Sequence, residues 1–191
     1  FLKFIHSIII ALMCGRYVLS GDPFHLGAKD DFNVSPGQDM PVKTVDCDGQ
    51  NMKWGIKTDW QESKLLINAR SETYMQKKTF NKCKRCIVPY TGWIEWATEN
   101  NQKQPYLLYS DKAYFAGLYD NTGFIILTKE ANSNISDIHN RQPVLIDKYD
   151  VGLWFMGDYD VSKTSEIIRY HKISKSINKP ENNSRDYLNE I

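Results

Sequence analysis

Cys14 lies in the stretch Met13-Cys14-Gly15-Arg16-Tyr17, and a start at Met13 followed by removal of that Met would make it the N-terminal residue. Its thiol and free α-amine would then sit on adjacent carbons. An amine and a thiol so placed trap aldehydes: the amine condenses to an imine, and the thiol closes a five-membered thiazolidine ring. The α-amine titrates near pH ~8 and the thiol near ~8.5, so each keeps a reactive fraction at neutral pH.

Three further clusters have the residue types for proton transfer or anion binding. Asn68-Ala69-Arg70-Ser71-Glu72-Thr73 follows the apolar run Leu65-Leu66-Ile67, where a strand is expected to pass into a helix. Free N–H groups at a helix start seat a phosphate, and Arg70 can grip one through two donors. The plainer alternative is a helix cap. Glu95 lies in Pro89-Tyr90-Thr91-Gly92-Trp93-Ile94-Glu95-Trp96. If Trp93 and Glu95 share one strand face, large rings flank the carboxylate, and desolvation of that kind raises a carboxyl pKa toward the range useful for proton transfer; the alternative, and the commoner case for a single Glu, is a strand-edge Glu facing water. His139-Asn140-Arg141-Gln142-Pro143 precedes the apolar Val144-Leu145-Ile146 and offers a histidine for proton shuttling and an arginine for phosphate, against the alternative of a surface histidine. His6, His25 and His171 have no comparable setting.

Aromatic and sulfur residues complete the inventory. Trp54, Trp60, Trp93 and Trp96 cluster in one part of the chain, where exposed rings would stack on bases and buried ones would only pack. Cys83-Lys84-Arg85-Cys86 has C-x-x-C spacing, but no second ligand pair follows. A buried thiol is the expectation for Cys86, and no metal or other cofactor is expected. Four cysteines without a convincing secretion signal fit a reducing compartment.

The elements that must hold these groups are mostly strands. Runs of β-branched and aromatic residues predict strands at 42–47, 51–56, 86–89, 93–97, 106–110, 114–119 and 124–128, with Asp48-Gly49 and Asn121-Thr122-Gly123 as turns. Ser71 is expected to cap a helix running to about Phe80, and weaker helices are expected at 134–140, 147–155 and 162–170. The segment 174–191 reads as a polar tail. The fold class is α+β: one β-rich domain over residues 13–191, with a few short helices around a central sheet or barrel. Residues 1–12 read as a leader or upstream translated segment outside the fold, because their apolar run is too short for a membrane span.

Charge points to a polyanion. Lys64 to Arg85 holds seven basic residues against one acidic, a window of +6 in a chain of net charge +1, which leaves −5 for the rest. Such a patch suits a nucleic-acid groove, and a solvated face is the alternative.

Taken in order, Met-Cys-Gly-Arg-Tyr, Asn33-Val34-Ser35-Pro36-Gly37-Gln38, Trp54-Gly55-Ile56, the Asn68–Thr73 stretch, Arg85-Cys86-Ile87-Val88-Pro89, Gly92-Trp93-Ile94-Glu95-Trp96, Ala116-Gly117-Leu118-Tyr119-Asp120 and His139-x-Arg141-x-Pro143 closely resemble the SRAP family of SOS-response-associated, abasic-site-processing proteins. The resemblance spans Met13 to at least Trp154. Gln142 stands where the family usually has Met, and Ile94 where an aromatic is usual; neither change removes a reactive group. The resemblance implies a protein that binds single-stranded DNA and crosslinks to abasic sites through an N-terminal Cys14, with Asn68, Glu95 and His139 around it. It implies phosphate contacts from Arg16, Arg70 and Arg141, a DNA surface that includes Ser71 and Thr73, and base stacking by Trp54 or Trp60. A monomer is expected, acting in bacterial cytoplasm or a eukaryotic nucleus. Self-cleavage to expose Cys14 is a further implication. Two other classes stay open: a thiol or N-terminal-nucleophile peptidase using Cys14 with His139, and a non-covalent DNA-binding module.

Overall fold

The computed structural model describes residues 15–58, 65–163 and 166–191; Cys14, Trp60, Lys64 and the expected leader at 1–12 lie outside them. Two sheets dominate. The smaller runs in the order β13 (Arg169–Lys172), β8 (Gln102–Tyr109), β7 (Gly92–Glu99), β1 (Tyr17–Leu19) and β2 (Asp31–Val34). The larger runs β11 (Arg141–Pro143), β10 (Phe124–Glu130), β9 (Tyr114–Tyr119), β6 (Lys84–Pro89), β3 (Asp39–Thr44) and β4 (Gln50–Lys53), with β12 (Leu145–Ile146) on β9 and β5 (Asn68–Arg70) on β10. Neither sheet closes on itself, so the expected α+β class holds as two open sheets rather than a barrel.

Strand alternation builds three apolar layers. Tyr17, Trp93 and Leu108 from the smaller sheet meet Val88, Phe115, Phe124 and Ile126 from the larger, and these form the core between the sheets. The intervening residues Ile87, Ala116, Ile125 and Leu127 point to the other face of the larger sheet, under Trp154 of α1 (Val151–Met156) and Phe80. Val18 and Ile94 point out of the smaller sheet and are covered by Ile173 and Ile177. Each fully buried side chain of this size contributes about 1.5–3 kcal/mol. Gly117 marks a close approach, since a Cβ there would lie 2.7 Å from the Cys86 Sγ.

Helices are where expectation and structure part. The helix expected from Ser71 to Phe80 is two three-residue 3-10 turns, Tyr74–Gln76 and Lys78–Phe80, with Thr73 rather than Ser71 at the first cap and no side-chain capping bond. The stretch 134–140 forms turns. In place of a helix at 162–170 there is a 3-10 turn at Val161–Lys163 and then β13, which pairs with β8. Only the 147–155 helix survives, shortened to α1. The tail is no loose appendage: it carries 3-10 turns at Lys175–Asn178 and Arg185–Leu188, and Ile177 is fully buried.

Candidate active site

Glu95 owes its position to the alternation of β7. Trp93 and Ala97 lie in the core between the sheets, whereas Ile94 and Trp96 belong to the outer layer, so Glu95 shares the inward face with Trp93 as expected. It is 2% exposed and stands opposite Tyr106 of β8. β1 runs antiparallel beside β7, with Tyr17 opposite Trp93, and the Ile94 N–H donates to the Arg16 carbonyl at 3.1 Å. The chain entering β1 at Gly15 therefore runs alongside Glu95.

Asn68 comes from the facing sheet. β5 lies parallel to β10, with Asn68 level with Ile126 of the inter-sheet core and Ala69 level with Leu127 of the outer layer. Asn68 therefore faces the interior, half-buried, and Arg70 shares that side at the exposed end of the strand. Trp54 fixes the backbone just before it by donating Nε1–H to the Ile67 carbonyl at 3.2 Å. Trp54 itself is 0% exposed and packs edge-on to Tyr17, so the expected stacking of Trp54 on a DNA base is corrected: its ring is core. The phosphate seat expected at a helix start is corrected as well, because β5 leads into short 3-10 turns rather than an α-helix. Ser71 instead donates its N–H to Thr128 O at 2.8 Å, and Thr73 donates to Arg70 O at 3.2 Å, so a tight turn presents Arg70, Ser71 and Thr73.

His139 ends the loop between β10 and β11, which closes on the inter-sheet core through Ile135 and Ile138. Its Nδ1 lies 3.1 Å from both the N–H and the carbonyl of Arg141. Which of the two it engages depends on the tautomer of the ring.

Arg141 departs from expectation. Its guanidinium makes a bidentate pair with Glu72, at 2.7 and 2.8 Å, and also donates to Thr128 O at 2.6 Å. At 8% exposed it is not available to a phosphate, and its role is to tie the turn after β5 to β11. Glu72 was legible only as an acidic residue near a helix start, and nothing local in the sequence marks it as the partner of an arginine 69 positions away. Arg16 is half-buried, with one nitrogen 2.6 Å from Asn33 Oδ1, so that donor too is taken.

Among the described residues no group of three or more His, Cys, Asp or Glu could hold a metal ion. Cys86 is a buried free thiol, as expected. Burial, with Cys83 nearby, raises its pKa, and burial pushes the Cys83 thiol up to about 11. Neither is activated as a nucleophile. No helix among the described residues is long and apolar enough to cross a membrane.

Comparison with known proteins adds the following. Residues 13–180 match the family described as SOS response associated peptidase (SRAP). The abasic site processing protein YoaM of Bacillus subtilis is 27% identical, over 92% of this chain and 97% of its own length. The abasic site processing protein YedK of Escherichia coli is 24% identical, over 89% of this chain and 87% of its own. A crystal structure of a protein from Bacteroides thetaiotaomicron superimposes with a TM-score of 0.71 at 25% identity, covering 85% of this chain and 86% of that one.

Proposed function

We propose, from the premise that this chain belongs to the SRAP family, that it processes abasic sites in single-stranded DNA by forming a covalent crosslink through Cys14 once that residue is N-terminal. The observation that carries this reading is the Ile94–Arg16 backbone bond. It holds the chain two residues after Cys14 against the strand bearing the buried Glu95, while Asn68 and Arg70 face the same interior from the opposite sheet.

The chemistry starts from the closed hemiacetal of the abasic deoxyribose. Glu95 and His139 open it, one donating a proton to the ring oxygen and the other removing the proton of the anomeric hydroxyl. The Cys14 amine adds to the freed aldehyde, and the carbinolamine loses water to give an imine. The Cys14 sulfur then attacks the imine carbon, and its proton passes to the nitrogen. One water leaves overall, and the ring closes before β-elimination can cut the strand. Asn68 holds the amine or the sugar oxygen in place by hydrogen bonding. Arg70, with Ser71 and Thr73 on the same turn, contacts flanking phosphates, a grip that needs no base to read.

Incubating protein that begins at Met13 with an abasic oligonucleotide tests this. The expected result is a denaturant-stable adduct that is lost in Cys14→Ala. An adduct retained in that variant overturns the assignment. Reversible binding without an adduct would favour a binding module, and cleavage of peptides without DNA would favour a peptidase.

A further inference from the structure

β2 carries one residue too many. Tyr17 pairs with Val34 and Leu19 with Asp31, so three steps along β2 match two along β1. This is a bulge, a device that re-aims a side chain. Phe32 and Asn33 both fall opposite Val18; Phe32 packs on the outer layer, and Val34 returns to the inter-sheet core.

Asn33 thereby meets the C-terminal segment. It is 2% exposed, and its Nδ2 lies 3.1 Å from Ile177 O, 3.0 Å from Lys179 O and 2.9 Å from Asn182 O. Two hydrogens serve three carbonyls, so one is shared. Its Oδ1 accepts from Arg16 at 2.6 Å. The amide orientation is fixed by this pattern: a flip would set oxygen against three carbonyls and nitrogen against a guanidinium. Neighbouring bonds extend the attachment. Phe32 N–H donates to Asn183 Oδ1 at 2.6 Å, and Trp96 Nε1–H donates to Asn178 Oδ1 at 2.7 Å. The segment covers the outer side of the β1–β7 pair, with Ile177 against Val18 and Ile94.

We infer that Asn33 is a positioning residue: by latching residues 177–182 onto Arg16, it fixes the start of β1 that presents Cys14 to the abasic sugar. Asn33 is 2% exposed and is assigned no part in the chemistry itself. It acts through Arg16, whose carbonyl in turn accepts from Ile94 N–H. The inference rests on the proposed crosslinking.

The test uses Asn33→Asp, which keeps size and the acceptor toward Arg16 but removes both donors. Asn33→Ser, which keeps one donor, is the second variant. Two quantities are read: hydrogen exchange at the Ile94 amide, and single-turnover adduct formation across abasic-DNA concentrations. In Asn33→Asp, Ile94 exchanges faster while the Ile126 and Leu127 amides of β10 stay as in the parent. The maximal adduct rate falls by about tenfold, with the half-saturating DNA concentration changed less than about twofold, because a misplaced nucleophile costs rate rather than binding. Asn33→Ser gives an intermediate rate. Unchanged Ile94 exchange overturns the latch. Faster Ile94 exchange with an unchanged maximal rate overturns the positioning role, as does a rate loss removed by raising DNA concentration. If the parent itself forms no adduct, the crosslinking reading fails and the positioning role fails with it, and Ile94 exchange still decides the latch.

Discussion

Glu72 and Arg141 show how one ion pair occupies an arginine that the sequence alone offers to a phosphate. Arg141 is 10% exposed in its side chain and Glu72 46%, so the pair sits at the boundary of the interior. Replacing Glu72 with Gln leaves the enclosed guanidinium with a weaker partner, and a loss of about 1–3 kcal/mol in denaturant unfolding is expected. The hydrogen bond from Arg141 holds the Glu72 carboxyl below its usual range. A carboxyl depressed on folding adds stability that is fully present above its unfolded pKa and is lost as pH falls through the folded value. The parent should therefore lose stability through the acid range below the usual carboxylate pKa, and Glu72→Gln should lose less over that interval. Equal acid slopes for the two proteins would refute the role given to the pair. Arg141 read as a phosphate ligand in the sequence because an arginine beside a histidine has the right chemistry, and only the fold supplies the competing acid.

At the scale of elements, strands were legible and helices were not. The run 114–119 is β9 to the residue, and 124–128 lies inside β10, because their apolar positions alternate between two buried layers. The sequence of 134–140 has helix-like length, but its Ser and Asn groups bond elsewhere: Ser136 Oγ donates to Ser133 O at 3.0 Å, and Asn134 Nδ2 to Ile168 O at 2.8 Å. Such local and cross-chain bonding competes with the helix ladder. The short strands β1, β2 and β5, which include Asn33, Asn68 and Arg70, are too brief for a period to show. The face of Glu95 was readable only as the one it shares with Trp93, and its burial was one of two open alternatives; the latch at Asn33 was not readable, since it depends on a bulge and on a tail that reads as polar. α1 survives because Trp154 anchors it, 2% exposed with Nε1–H donating to Cys86 O at 2.9 Å and Arg85 stacked 5.2 Å from its ring centroid. Gly157 ends that helix at φ 92°, where a Cβ would meet the Arg85 guanidinium at 2.7 Å. Trp154→Ala should cost about 3–5 kcal/mol in unfolding free energy through cavity formation. Trp154→Phe should cost about 1–3 kcal/mol through the lost hydrogen bond and ring volume. Thermal or urea unfolding distinguishes the two: a Trp154→Phe loss near zero would mean that the indole nitrogen contributes nothing, and a loss equal to that of Trp154→Ala would mean that refilling the cavity with a ring recovers nothing.

Over the whole molecule, charge is unevenly placed, and the structure sorts the basic window into groups with different tasks. Lys77, Lys78 and Lys82 are exposed on the 3-10 turns, Lys84 pairs with Asp46 at 3.6 Å, and Arg85 is half-buried on Trp154. Arg70 is the exposed arginine that shares a strand face with the candidate catalytic Asn68. For single-stranded DNA, each phosphate neutralised adds about 0.7 to the slope of log affinity against log salt. Fluorescence anisotropy on Cys14→Ala protein reads this slope without interference from the crosslink. Arg70→Gln should weaken binding at all base sequences and flatten the slope by about 0.7, the signature of one lost phosphate contact. Arg141→Lys should lower stability, because an ammonium cannot replace the bidentate fork on Glu72, yet leave the slope where it was. A slope that drops with Arg141 and not with Arg70 would mean that the guanidinium leaves Glu72 when DNA binds. The closed pair would then be a resting arrangement that a phosphate opens.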